Sequence, residues 1–252
     1  LSGAMVAIGS DYVIQNDGVI VYFGGDIMPE DMVIEGNPII FPPRFAVATN
    51  EAELLDAMGN PEVEEIWIEA DITLTSDLDI TKRTTVAYDS PSTSPRTLTV
   101  SPDATVTVKD GGQLLILGNV NNNGIFTIEQ TADQVFMLDT GSFTNGSAGV
   151  LNVNSRFDIM EGTFTNDGTV IISEGDEHTI LVMGGVVTNN GEFINDGALH
   201  MPNSTGHEGA MHNRGTEFTN TGTFTNGSIS TPSSRAYLGV LGGKFANTGD
   251  FV

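Results

Sequence analysis

The chain has 252 residues with 33 acidic and 9 basic side chains, a formal net charge of −24, 30 glycines and no cysteine. The acid is spread along the whole length, so the surface repels nucleic-acid phosphates and anionic lipid, and neither is expected as a partner. Disulfides and thiolate metal sites are excluded, and no run of about eighteen apolar residues exists to insert into a membrane.

Residues 1–45 read as a small N-terminal β segment. Tyr12-Val13-Ile14 and Val19-Ile20-Val21-Tyr22-Phe23 have strand composition, with a turn expected around Gln15-Asn16-Asp17-Gly18. Ile39-Ile40-Phe41 runs into Pro42-Pro43, a boundary, and residues 46–252 form the main domain. The start at Leu1-Ser2-Gly3-Ala4, without Met, suggests a processed or excised fragment.

One helix is expected, over about 50–58. Asn50 suits an N-cap, Glu53 its reciprocal partner, and Leu54, Leu55 and Met58 form an apolar stripe that Gly59 and Pro61 end. A single amphipathic helix at this place would cap the first turn of a solenoid, whose core and strand edges need cover. From residue 63 short β-branched strands follow, among them Ile66-Trp67-Ile68, Ile72-Thr73-Leu74, Leu98-Thr99-Val100 and Leu114-Leu115-Ile116-Leu117. Trp67 falls opposite its apolar neighbours, facing outward or packing under the cap helix or the N-terminal β segment. Ser90-Pro91-Ser92-Thr93-Ser94-Pro95 reads as a polar loop.

Over about 111–252 one phrase recurs: an apolar residue, a spacer, Asn, a variable residue, Gly. Phe164-Thr165-Asn166-Asp167-Gly168 and Phe218-Thr219-Asn220-Thr221-Gly222 are examples. Asn122, Asn145, Asn166 and Asn189 step by 23, 21 and 23 residues, and Asn226 to Asn247 is again 21. A fixed period in the low twenties means a solenoid of stacked coils, about eight here. In each phrase Phe points into the core and Asn lies on the same face. Stacked coils bring Asn122, Asn145, Asn166, Asn189, Asn195, Asn220, Asn226 and Asn247 into hydrogen-bonded ladders, and Gly is expected to supply a positive φ at the corner. Asn189/Asn195 and Asn220/Asn226, each six residues apart, imply two corners in one coil. Thr144, Thr165, Thr188, Thr219 and Thr225 would form one outward rank, where ice binding would require two.

Residues 47–118 run from Val47-Ala48-Thr49-Asn50-Glu51-Ala52-Glu53-Leu54-Leu55-Asp56-Ala57-Met58 through Val63-Glu64-Glu65-Ile66-Trp67-Ile68 to Gly111-Gly112-Gln113-Leu114-Leu115-Ile116-Leu117. That order resembles the opening of the pectate-lyase-like right-handed parallel β-helix proteins. More narrowly, it is similar to the non-enzymatic β-helical regions of bacterial adhesin-like surface proteins, and the Phe-Thr-Asn-x-Gly repeats resemble their repetitive segments. The resemblance implies an all-β, right-handed parallel β-helix and an extracellular or cell-surface location.

No catalytic constellation is recognisable, and no acidic pair beside an Arg or Lys base stands out by spacing. Glu174, Asp176, Glu177 and His178 form the densest acidic loop, a weak calcium candidate beside the plainer reading of a solvated turn. His200, His207 and His212 are a weak transition-metal candidate, read otherwise as histidines of a loop over 200–216. The expected function is structural display, with loops presented to a host or matrix glycan or protein. A carbohydrate-binding or carbohydrate-active lyase or hydrolase is the alternative. The C-terminal coil, expected to be open or truncated, would allow end-to-end self-association.

Overall fold

Three- and four-residue segments with apolar side chains at alternate positions become strands because one face can be buried while the other meets solvent. The computed structural model describes residues 14–16, 34–36, 45–86, 95–138, 140–173, 180–201, 216–226, 237–240 and 244–252. The chain divides into two units, Leu1–Arg44 and Phe45–Val252. In the first, Ile14–Asn16 pairs in parallel with Ile34–Gly36. Gln15 and Asn16 therefore belong to a strand and not to the expected turn. Val19–Phe23 lies outside the described residues.

The second unit is a parallel β-solenoid with three sheets. The first sheet stacks Phe45–Ala48, Glu65–Ile68, Arg83–Val86, Gln113–Ile116, Gln134–Met137, Phe157–Ile159, Ile180–Val182, Ala198–Met201 and Tyr237–Val240. The second stacks Ile72–Leu74, Thr97–Val100, Asn119–Asn122, Ser142–Asn145, Thr163–Asn166, Val186–Asn189, Glu217–Asn220 and Lys244–Asn247. The third stacks Leu78–Ile80, Thr105–Val108, Ile125–Ile128, Val150–Val153, Thr169–Ile172, Glu192–Asn195, Thr223–Asn226 and Asp250–Phe251. From Glu65 onward each coil contributes one strand to each sheet, so every strand pairs with the strand one coil away, and Phe45–Ala48 adds an edge strand to the first sheet. Parallel pairing puts successive coils about 4.8 Å apart.

Helix α1, Glu51–Gly59, contacts Phe45–Ala48 and the first strands Glu65–Ile68, Ile72–Leu74 and Leu78–Ile80. It buries Leu54 and Ala57 in the common core, with Leu55 and Met58 packed at its margin. Asn50 caps it, its side chain accepting from the Glu53 N–H at 3.0 Å. Glu53 does not close the reciprocal box onto Asn50. Its carboxylate accepts from the N–H and hydroxyl of Thr49, both at 2.8 Å. Glu51 reaches the next coil and accepts from the N–H groups of Thr75 at 2.7 Å and Ser76 at 2.8 Å. At the other end the Lys82 ammonium donates to the Ala57 carbonyl at 3.0 Å and to that of Asn60, where a cation complements the helix dipole.

The core runs the length of the stack. In the second sheet Val120, Phe143, Phe164, Val187, Phe218 and Phe245 lie in register. In the third the series is Val106, Phe126, Leu151, Val170, Phe193, Phe224 and Phe251. Where phenylalanines follow one another they stack: Phe218 on Phe245 at 5.1 Å and Phe193 on Phe224 at 5.2 Å between centroids. Across the interior Phe218 meets Phe224 edge-on at 5.6 Å. Offset stacking up the axis and edge-to-face contact across it are both favourable aromatic geometries.

Candidate functional site

The asparagines expected to form ladders do so, in two series. At the end of the second sheet, Asn122 donates to Asn145 at 2.8 Å and Asn145 to Asn166 at 2.8 Å. Asn166 donates to Asn189, Asn189 to Asn220 and Asn220 to Asn247, each at 2.6 Å. At the end of the third sheet Asn195 donates to Asn226 at 2.7 Å. Asn226 and Asn247 are therefore not successive rungs: Asn247 stacks on Asn220, and the 21-residue interval links two different corners. Each interior amide also donates to backbone, as Asn166 does to the carbonyls of Glu192 at 2.9 Å and Gly168 at 3.2 Å. Asn122 through Asn220 are fully buried, and the ladder supplies the partners that burial demands.

Every rung points the same way, its Nδ2 toward the following coil and its Oδ1 toward the preceding one. The first two coils carry Leu74 and Val100 at this register position, so the series begins at Asn122, whose buried Oδ1 has no donor.

Four of the corner glycines have a different reason from the expected one. Among the described residues, positive φ occurs at Gly111, Gly162 and Gly184, none of them a ladder glycine. At Gly168, Gly191, Gly222 and Gly249 a Cβ would instead fall well inside van der Waals distance of the carbonyl oxygen of Gly149, Gly168, Gly191 and Gly222 respectively. The corner glycines stack directly, and close backbone approach excludes any side chain.

On the outward face of the second sheet, Thr73, Thr99, Asn121, Thr144, Thr165, Thr188 and Thr219 form one rank, ending in Ala246. A second rank stands beside it: Thr97, Asn119, Ser142 and Thr163, followed by Val186, Glu217 and Lys244. Thr225 belongs to the third sheet. The ranks bond to themselves: the Ser142 hydroxyl donates to Asn119 Oδ1 at 2.7 Å, and Asn119 Nδ2 to Thr97 Oγ1 at 3.3 Å.

The outward face of the first sheet has the most varied chemistry. Its central rank reads Val47, Trp67, Thr85, Leu115, Phe136, Asp158, Leu181. Trp67 faces outward, 37% exposed, with Nε1 donating to Glu65 at 2.8 Å and its ring edge-on to Phe45. Farther along, Asp158 is completely buried although its register position points outward. Its carboxylate accepts from Gln134 Nε2 at 2.5 Å and from Arg156 Nε at 2.8 Å. Arg156 remains half exposed, so a guanidinium is presented at the surface while its counter-charge is held below. Comparison with protein-family models, curated proteins and solved structures finds no match for this chain. The strand topology thus establishes a β-solenoid, and the pectate-lyase-like and adhesin-like readings are proposals.

The Arg156–Asp158–Gln134 group does not have the pattern of an acidic pair beside a base. The signal was there as Arg-x-Asp, two residues apart and so on one face of a strand. His200 lies in the strand Ala198–Met201 and not in a loop. Glu174, Asp176, Glu177, His178, His207 and His212, with the loop Ser90–Ser94, lie outside the described residues. Among the described residues no three His, Asp or Glu side chains gather to hold a metal.

Proposed function

We propose that this chain is a display element of a secreted or cell-surface protein, adhesin-like in role, which holds recognition surfaces at fixed spacing on a stiff solenoid. The observation that carries this reading is the six-rung ladder from Asn122 to Asn247, with core phenylalanines stacked beside it. The repeated polar residue of the sequence is used inside the stack, joining coil to coil. Buried amide networks with their partners supplied rigidify a structure. In this reading α1 acts as the cap of the first coil, and recognition of a host or matrix glycan or protein falls to the outward faces and loops.

A glycan-binding or carbohydrate-active module is the second reading. It is favoured by the outward face of the first sheet, which carries Arg156 together with the apolar side chains Phe136 and Leu115. A glycan-array screen of the purified chain with and without calcium, followed by mass spectrometry of any bound glycan, separates the two. Binding without cleavage, lost in Arg156→Ala, supports a lectin-like display surface. Cleavage products refute the display role in favour of an enzyme. Absence of glycan binding directs the search to protein partners.

A further inference from the structure

The two outward ranks of the second sheet hold no charged side chain from Thr97 to Thr188, in a chain with 33 acidic and 9 basic residues. Charge returns at both ends. Asp71 stands beside Thr97, accepting from its N–H at 2.8 Å, and at the other end Glu217 pairs with Lys244 at 2.6 Å. Between them Thr97-x-Thr99, Asn119-x-Asn121, Ser142-x-Thr144 and Thr163-x-Thr165 lie in register, one pair per coil. The corners beside them are short: residues 117–118 and 123–124 flank Asn119–Asn122, and residues 167–168 follow Thr163–Asn166.

We propose that this face binds ice. Parallel pairing sets the rungs about 4.8 Å apart along the axis, and two residues along a strand span about 6.6 Å. The face is therefore a two-dimensional grid of hydroxyl, amide and methyl groups. Its shorter spacing is close to the short lattice repeat of hexagonal ice, and its longer one is near the repeat along the hexagonal axis. The second rank is fixed by its own bonds, from Ser142 to Asn119 and from Asn119 to Thr97. In the first rank the hydroxyls of Thr99, Thr144, Thr165 and Thr188 have no partner within the protein among the described residues, so they bond to water. A hydroxyl both donates to water and accepts from it, and one such exchange of liquid for lattice water gains little. On a rigid array many exchanges occur together, with no further ordering of side chains to offset them. A charged group would hold its hydration shell in an orientation the lattice does not share, which is why the grid must be free of charge.

The other two faces do not meet these requirements. The first sheet turns Glu65, Arg83 and Arg156 outward. On the third sheet Ile125, Val150 and Ile171 interrupt the outward hydroxyls. The ice-binding face is also separate from the Arg156 surface and from any glycan recognition there, so it does not rest on the display reading.

The test is nanolitre osmometry of the purified whole chain, which reads the gap between melting and freezing points and the shape of a single ice crystal held within it. The expected result is a faceted crystal and a gap that widens with protein concentration. Thr144→Tyr, at the centre of the grid, should remove most of the gap, and so should Thr165→Tyr one coil away. Thr107→Tyr, on the outward face of the third sheet, should leave it unchanged. Circular dichroism melts identify the variants that keep the fold, and either grid variant suffices for the comparison. The proposal is overturned if the wild type gives a round crystal and no gap. It is equally overturned if a folded grid variant matches the wild type, or if Thr107→Tyr loses as much as the grid variants, which would place the activity elsewhere.

Discussion

Replacing Asn166 with alanine measures what a rung contributes. The side chain is fully buried and makes three contacts through Nδ2, to Asn189 Oδ1, Glu192 O and Gly168 O, while Oδ1 accepts from Asn145. After the substitution Asn145 Nδ2 keeps Gly149 O at 3.1 Å and Thr169 O at 3.0 Å, so the rung on the donor side is largely satisfied. The damage falls on the acceptor side, where Asn189 Oδ1 is left in the interior without its donor. An orphaned buried acceptor costs about 1–3 kcal/mol and the lost hydrogen bonds about 1 kcal/mol more, for a total of roughly 3 kcal/mol. For a domain of this size that lowers the melting temperature by roughly 6–12 °C. Asn247→Ala serves as the control: its amide is exposed, and the expected loss is under about 1 kcal/mol. Differential scanning calorimetry of the two variants decides the matter. Equal losses, or an interior loss below about 1 kcal/mol, would show that the ladder is incidental to stability and would remove the basis for the display reading.

Three further outcomes follow from the same geometry. Gly191→Ala should destabilise by more than about 2 kcal/mol in urea unfolding, because its Cβ meets the Gly168 carbonyl, whereas Gly59→Ala, with open space around it, should be neutral or stabilising by up to about 1 kcal/mol. Leu54→Ala should cost about 2–5 kcal/mol, and hydrogen exchange should rise first in the strands beneath α1, Glu65–Ile68, Ile72–Leu74 and Leu78–Ile80. The Glu53 carboxyl is held below its usual value by the Thr49 N–H, then by the Thr49 hydroxyl and Asn50. Its stabilising effect is present above the unfolded value of about 4.3 and is lost as pH falls through the depressed folded value. Wild type should therefore exceed Glu53→Gln in stability near neutrality and converge with it in acid, and a constant difference across unfolding curves from about pH 6 to about pH 3 would contradict this.

The stacking axis was legible in the sequence because Phe and Asn two residues apart share a strand face, and an amide placed on the core side must find a partner one coil away. What the spacing could not reveal was which corner each asparagine occupies. With two Asn-bearing corners per coil, Asn226 to Asn247 mimics one period while joining different sheets. The glycines misled for a related reason. Sequence alone does not separate a turn needing positive φ from a corner where backbone touches backbone, and only the stacked carbonyls tell them apart. The second outward rank went unseen because Thr97, Asn119 and Ser142 precede the apolar residue, outside the repeated phrase. Asp158 shows the limit from the other side: an outward register position predicts exposure, yet burial there depends on what lies above the sheet.

The spacing between rungs does not follow the length of chain that joins them. Asn166 and Asn189 are separated by 23 residues and Asn189 and Asn220 by 31, yet both pairs meet at 2.6 Å. The axial rise is set by strand pairing and not by the number of residues between strands. Insertions and deletions between strands can therefore remodel the flank of the molecule while the distance between surfaces presented on different coils stays constant. A whole coil gained or lost changes that distance by one step of about 4.8 Å. Surface variation and reach are thus separately adjustable, the first residue by residue and the second only in integer units.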